Sequence, residues 1–526
     1  RLATPMPAAA PSGNSYDEVP YESHPFSQTH PSRVASVAAV FGLDPPPVES
    51  CRVLELGCAA GGNIIPMAET FPGSWFVGVD YSARQIADGE RIVRGSGMSN
   101  VSLRHASILD VDETYGRFDF IICHGVFSWV PDPVRDKILA ICRELLAPSG
   151  VAYISYNTYP GWHMRGMIRD MMRYHATRFE TPAQRIEQAR ALLDFLAEAA
   201  RKDGSAYTTL LHSELEHLKH QPDPYLYHEH LEEVNKALYF HEFIDLATRH
   251  DLRYLGEARL STMVTGNFGP QVAKALEVVA SDQIQAEQYL DFIRNRTFRE
   301  TLLVHRAASP NWAINPEGLR RLHITTPRQI PDAAGDVTST AAVQYETISG
   351  MTLSTSSPAI KAAMRILSRH WPATVAFTDL EGEVNGMLGV PQDAEKLLAM
   401  GLLNTFLSSD LLELHSAPIP SVLAGERPKA FAVARARVCC GERGIVTRRH
   451  NLYRTTELDR HLIPLLDGTR DRCELLNWLV DIALSGGLTV HREGQRLTDE
   501  AALRPALAEA LESALANLGK IGLLAG

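Results

Sequence analysis

The run from Cys51 to Asn63 constrains this 526-residue chain more than any other stretch. Arg52-Val53-Leu54-Glu55-Leu56 is apolar and short enough for a buried strand, Gly57-Cys58-Ala59-Ala60-Gly61-Gly62 is a cluster of small residues, and Ile64-Ile65-Pro66-Met67-Ala68-Glu69 reads as helix. Strand, tight turn and helix in that order form the corner at which a parallel α/β sheet takes a nucleotide cofactor. Small residues are needed there because a Cβ would block either the close approach of the backbone or a positive φ. Gly57, Ala59 and Gly61 fall at alternate positions, which is not the Gly-x-Gly-x-x-Gly spacing of a dinucleotide fingerprint. Glu55, two residues ahead, places negative charge near the pocket; that disfavours a phosphate and suits a cation. Ala59 allows close approach provided its φ is negative.

Downstream the alternation of strand and helix is regular. Trp75 to Asp80 is a second strand ending in an acid, and Ser82 is placed to cap a helix running to about Arg94. Asp80 lies 25 residues after Glu55, close to the interval at which such folds place a carboxylate that accepts both ribose hydroxyls. Val101 to Ser107 is a third strand, followed by Ile108-Leu109-Asp110. Phe118 to Gly125 is a fourth, apolar enough for a central strand, with His124 at its ligand-binding end. A helix ending near Leu146 stops at Pro148-Ser149-Gly150, and Val151 to Asn157 is strand five. The next helix and strand appear only at about Tyr239 to Ala258, and Phe298 to Arg306 reads as an antiparallel seventh strand. The fold class is α/β, a doubly wound sheet of seven strands with the last antiparallel. A helical insertion between Pro160 and Asn235 leaves strand five at its carboxyl end, so it must arch over the mouth of the site.

The acid-x-Gly-x-Ala-x-Gly pattern resembles motif I of the class I S-adenosylmethionine methyltransferases. Four further stretches extend the likeness: the arm from Tyr16 to Pro31, Cys123 to Pro131, Tyr156 to His163, and His228 to Asn235. Together they look like the bacterial methyltransferases with a methyltransferase regulatory domain, a group that includes protein-lysine methyltransferases acting on outer-membrane proteins. The resemblance runs to about Pro310. It implies S-adenosylmethionine as methyl donor and S-adenosylhomocysteine as product. It assigns the cofactor to Glu55, Gly57, Cys58, Ala59, Gly61, Asn63, Asp80, Tyr81, Ser107, Ile108, His124 and Gly125, with adenine against the Ile108 turn and the arm over the methionine end. Tyr16, Tyr21, His124, Trp129, Tyr156, Asn157, Tyr159 and Trp162 are the catalytic candidates, an aromatic and polar cage for the acceptor. For a hydroxyl or carboxylate acceptor, His124 or His163 would serve as base or orienter.

The remainder of the chain sets the acceptor's scale. Residues 1–13 are expected to be disordered, 14–310 to form the methyltransferase core with 160–236 as its lid or regulatory insertion, 311–425 a middle α+β domain, and 426–526 a C-terminal domain. His461 to Arg472, with its Leu-Asp-Gly turn, is similar to small winged-helix, peptide-chaperone-like domains. Two domains beyond a complete core favour a protein or peptide side chain, with lysine N-methylation ahead. A small-molecule N- or O-methyltransferase and a non-catalytic cofactor-binding scaffold remain open. The net charge of -11 is spread along the chain, which disfavours nucleic acid, and the arginines near the C-terminus lie among acids, as in a protein or homodimer contact. No apolar run reaches the ~20 residues of a membrane span, so the expected location is cytoplasmic. Seven cysteines without repeated spacing read as reduced thiols, and no metal site is expected.

Overall fold

The computed structural model describes residues 23–200, 204–313, 315–331, 335–350, 352–389, 395–492 and 495–525. The expected disorder of residues 1–13 and the candidates Tyr16 and Tyr21 lie outside the described residues.

Seven strands form one sheet: β1 (Arg52–Leu56), β2 (Trp75–Asp80), β3 (Val101–His105), β4 (Phe118–Cys123), β5 (Leu146–Asn157), β6 (Leu252–Glu257) and β7 (Phe298–His305). Their order is β3-β2-β1-β4-β5-β7-β6. The first five are parallel, and β7 inserts antiparallel between β5 and β6. The switch in strand order between β1 and β4 opens a crevice at their carboxyl ends, where doubly wound sheets bind ligands. Strand β5 begins earlier than Val151. Helix α4 (Asp132–Leu145) runs straight into it, Leu146 pairs with Phe118, and the register shifts before Val151 meets Phe120.

The two faces of the sheet bury different sets of side chains, as the period of two requires. Val53, Phe120, Ile122, Val151 and Tyr153 share one core with α1 (Pro31–Val40) and α2 (Ile64–Thr70). Leu54, Ile121, Cys123, Ile154 and Tyr156 pack on the other side against α4 and α8 (Phe240–Arg249). Between the sheet's ends, α5 (Trp162–Ala176), α6 (Pro182–Ala199) and α7 (Ala206–Lys219) enclose their own core of Ile168, Met172, Leu193 and Leu211. The insertion is tied back at its base, where Thr158 Oγ1 donates to the Leu238 carbonyl (2.8 Å) and the Lys236 amide to the Ser128 carbonyl (2.9 Å).

A buried ionic cluster locks β6 and β7 to α10 (Gln283–Arg294), which follows α9 (Pro270–Val279). Arg299 is fully buried and reaches three carboxylates: Glu257 (2.6 Å), Asp291 (2.8 Å) and Glu287 (3.1 Å), with its guanidinium 3.8 Å over the Phe240 ring. Burial disfavours the charged form of Glu257, but Arg299 and Arg296 outweigh it and hold its pKa below the ordinary value.

Beyond the sheet, β8 (His323–Thr325) pairs with β11 (Val375–Ala376) and β12 (Glu413–His415), beside helices Pro358–His370, Phe377–Leu388 and Glu395–Ser408. This middle unit grips α1, whose Ser32 Oγ accepts the Ser416 amide (2.9 Å). The last unit has a core of its own, in which helix Glu500–Lys520 buries Leu503, Leu507, Leu511, Leu515 and Leu518 on one face.

Candidate functional site

The turn after β1 takes three left-handed residues, with φ of 76° at Gly57, 49° at Ala59 and 73° at Gly61. The negative φ expected of Ala59 is therefore overturned. Asp80 supplies the reason: its Oδ2 accepts the Ala59 amide and its Oδ1 the Ser82 amide, each at 2.8 Å, so the end of β2 pins the turn in this shape. An alanine held there costs about 1 kcal/mol. Ala59→Gly is accordingly expected to raise the melting temperature by a degree or more, read by differential scanning calorimetry. Gly57 cannot carry a side chain, because a Cβ would stand 2.4 Å from Val126 Cγ2 at the end of β4. The Cys58 thiol turns under the loop towards Gly78 and is buried, leaving only its backbone on the ligand side.

Glu55, at the end of β1, is 3% exposed. Asn63 Nδ2 donates to its Oε1 (2.7 Å), while Oε2 has no hydrogen-bond partner among the described residues. Burial raises the Glu55 pKa to about 8, the Asn63 hydrogen bond opposing and the Asp80 charge assisting. The N-terminal segment lies directly on this turn: Gly62 donates to Ser23 Oγ (2.7 Å) and Phe26 donates through its amide to Asn63 Oδ1 (2.9 Å). A buried carboxyl with one orphaned oxygen, beside a turn free of side chains, fits a ligand that carries positive charge.

His124 follows β4 on the same face as Glu55. Phe26 lies on its ring, centroids 3.9 Å apart, and Nδ1 is 2.9 Å from the Tyr153 hydroxyl. Burial, with Arg259 assisting, lowers its pKa to about 3, so it is neutral at physiological pH and too weak a base to take a hydroxyl proton. Gly125 is exposed with φ 68°, and its amide donates to Ser155 Oγ (2.8 Å). Ser107 caps the turn Ile108–Asp110, accepting the Leu109 amide. Tyr81 stands 67% exposed at the rim, its carbonyl 3.1 Å from His105 Nε2.

The acceptor candidates separate into groups. Trp129 and Trp162 meet edge to face with centroids 6.3 Å apart. Tyr159 stacks on His163 (4.0 Å) and lies 5.2 Å from Tyr239. Asn157 donates from its backbone to Ser128 Oγ (2.8 Å), and its side chain faces Asn235. Tyr156 belongs to neither group and is withdrawn from the cage. It stacks on Phe243 at 4.0 Å, its hydroxyl meets Thr301, and it is 1% exposed on the opposite face of the sheet. Alternation along β5 sends Tyr153 to the His124 side and Tyr156 away from it. The sequence reading missed Tyr153, Phe26 and Tyr239. For Tyr153 the signal was present, since it differs from Tyr156 by an odd number of positions. Among the described residues, no group of three or more His, Cys, Asp or Glu is placed to hold a metal ion.

Sheet order, left-handed turn and terminal carboxylate together define a class I S-adenosylmethionine-dependent methyltransferase. Comparison with known proteins agrees. Residues 47–214 match the methyltransferase domain family, 222–305 the predicted methyltransferase regulatory domain, and 426–523 the PKMT C-terminal winged helix domain. The chain is 37% identical over 510 residues to the uncharacterized protein RP789 of Rickettsia prowazekii, covering 94% of this chain and 90% of that one. PKMT2 from Rickettsia typhi is 30% identical and superposes with a TM-score of 0.84 over 96% of this chain and 100% of its own. The same enzyme solved in complex with AdoHcy gives 31% identity and the same TM-score. The chain belongs to this family of methyltransferases with a regulatory domain and a PKMT-type winged helix, and S-adenosylmethionine is its cofactor. Among the described residues, no helix is long and apolar enough to cross a membrane.

Proposed function

We propose that the enzyme transfers the methyl group to a side chain of a protein or peptide, with a lysine amine as the acceptor. The observation that carries this reading is the likeness to PKMT2, which extends through all the domains beyond the catalytic sheet and is not confined to the sheet.

S-adenosylmethionine supplies an electrophilic methyl on a sulfonium. Asp80 and the 57–63 turn would hold its ribose and methionine portions, the Ser107–Ile108 turn its adenine, and Glu55 its positive charge. A lysine ammonium has no lone pair to offer until it loses a proton near pKa 10.4. Placing the amine beside the cationic sulfonium, in a pocket that includes the half-buried Trp129, would disfavour its charged form by like charge and desolvation. His124, held neutral and engaged with Tyr153, would orient and not deprotonate; that suits an amine better than a hydroxyl, which needs a base. The test is transfer of labelled methyl into protein and small-molecule fractions of a lysate. Label in lysine of a protein band supports the reading, and label confined to small molecules overturns it. Trp129→Ala is expected to lower kcat/KM for the protein acceptor by about thirtyfold or more while S-adenosylhomocysteine affinity stays within about threefold, since in this reading the indole serves the acceptor and not the cofactor.

Glu55 gives a second expectation. With its pKa near 8, the free protein carries this carboxyl mostly protonated at pH 7. A cationic ligand favours the ionised form, so binding should expel up to about 0.9 proton at pH 7 and almost none above pH 9. Titration calorimetry in buffers of different ionisation enthalpy measures this directly. The sign for stability is opposite: a folded pKa above the unfolded value stabilises fully below about 4.5 and ceases to do so as pH rises through 8.

A further inference from the structure

Asn63, which follows the cofactor turn, is gripped from three separate parts of the chain. Its Nδ2 donates to Glu55 Oε1 (2.7 Å) and to Thr29 Oγ1 (3.0 Å). Its Oδ1 accepts the Phe26 amide (2.9 Å) and, 387 residues away in sequence, His450 Nε2 at 2.7 Å. The Phe26 amide N–H can only donate, so Oδ1 must face it, and His450 must therefore present its Nε2 proton to the same oxygen. His450 belongs to the C-terminal winged-helix unit, is 2% exposed, and occupies a left-handed backbone position, φ 61°. That conformation is strained for any residue other than glycine, and such strain persists only where the surroundings over-determine it. Here they do: the His450 amide donates to the Thr447 carbonyl (2.8 Å), and the neighbouring Arg449 is anchored on Thr326 and Glu413.

The same unit holds the other end of α2. Glu69, near the C-terminus of that helix, accepts the amides of Ala432 (2.6 Å) and Val433 (2.9 Å), which open helix Ala432–Cys439. Arg437 of that helix reaches the carbonyl of Ser23, whose hydroxyl caps the Gly62 amide. The winged-helix unit thus holds helix α2 at both ends and touches the covering arm.

We propose that His450 is a positioning residue for the cofactor site: by fixing Asn63 it orients Glu55 and the 57–63 turn, so that the C-terminal unit completes the site from behind. A loosened Asn63 would deprive Glu55 of the donor at Oε1 and let the turn sample conformations that do not receive the cofactor. The burden falls on cofactor affinity, not on the methyl-transfer step. The inference rests on the cofactor lying at the 57–63 turn, which Asp80→Ala tests separately.

The experiment uses the full chain and direct binding of S-adenosylhomocysteine by calorimetry, together with amide hydrogen exchange of residues 57–63 in ligand-free protein. His450→Ala is expected to weaken binding by about tenfold or more and to speed exchange in that segment by about threefold or more. His450→Gln, which restores a side-chain donor, should recover binding to within about threefold. Leu515→Ala, which cuts a cavity in the winged-helix core, should lower the melting temperature and leave the affinity within about twofold. The proposal is overturned if His450→Ala lowers the melting temperature as Leu515→Ala does but binds with wild-type affinity and unchanged exchange. Should His450→Ala not fold, Glu69→Gln decides: a rise of about threefold or more in Kd supports the proposal, and unchanged affinity overturns it.

Discussion

Asp80→Ala is expected to weaken S-adenosylmethionine and S-adenosylhomocysteine binding by about a hundredfold or more, the largest functional effect among single substitutions of the site. Two kinds of interaction are lost at once. The carboxylate would take the ribose hydroxyls, and its two oxygens also hold the Ala59 and Ser82 amides that shape the turn. Hydrogen bonds to a charged acceptor contribute about 1.5–3 kcal/mol each. Without them Ala59 has no reason to keep its left-handed φ, and the turn relaxes. Asp80→Asn keeps one acceptor oxygen and should fall between the alanine variant and the wild type. Calorimetric titration of each variant checks the ordering; wild-type affinity in Asp80→Ala would remove the ribose from this residue.

Arg299→Met should have the largest effect on stability. The guanidinium is fully buried and faces Glu257, Glu287 and Asp291, so methionine fills most of the volume but takes from Glu287 its paired cation and leaves Glu257 and Asp291 with Arg296 alone. Removing one member of a buried ionic group costs about 3–5 kcal/mol because the charge left behind is uncompensated. Here the loss falls where β7 enters the sheet between β5 and β6, the junction that carries the regulatory segment. The expected outcome is poor recovery of soluble protein, or a melting temperature lower by about 5 °C or more. Arg299→Met combined with Glu257→Gln and Glu287→Gln should regain part of the loss, since two of the stranded charges are then gone. A melting temperature unchanged in Arg299→Met would show that the cluster contributes nothing net.

Buried histidines of the same kind as His124 are expected to contribute to the acid sensitivity of the fold. Burial lowers the pKa of His450 to about 3 and of His415 to about 4, and both stand with Arg33 and Glu413 where α1, the middle unit and the winged helix meet. A neutral histidine kept below its unfolded value of 6.5 stabilises the fold above that pH and loses the contribution as pH falls towards 4 or 3. The three-domain junction is therefore where acid is expected to act first.

Much of the site could be read from short windows of the chain. The Glu55 to Gly61 spacing, the acid at the end of β2 and the serine cap at position 82 are local patterns, and local patterns encode strand, turn and helix directly. The position of β7 was legible from its alternation as an antiparallel strand, though not its insertion between β5 and β6, which depends on what the rest of the sheet leaves unpaired. Tyr156 misled because its sequence neighbours Tyr159 and Trp162 do pair with other aromatic rings, while the strand's period of two turns it into the core against Phe243.

The sequence by itself determined the class of sheet, the strand-turn-helix corner after β1 and the acids at the ends of β1 and β2, because each is written in a handful of neighbouring residues whose backbone hydrogen bonds and side-chain periodicity are settled locally. Only the tertiary structure decided the rest: that Ala59 is left-handed, that Arg299 gathers three acids, and that His450 reaches Asn63 across 387 positions. Those features depend on which distant surfaces pack together, and burial then imposes partners on polar groups that no short window of sequence can name.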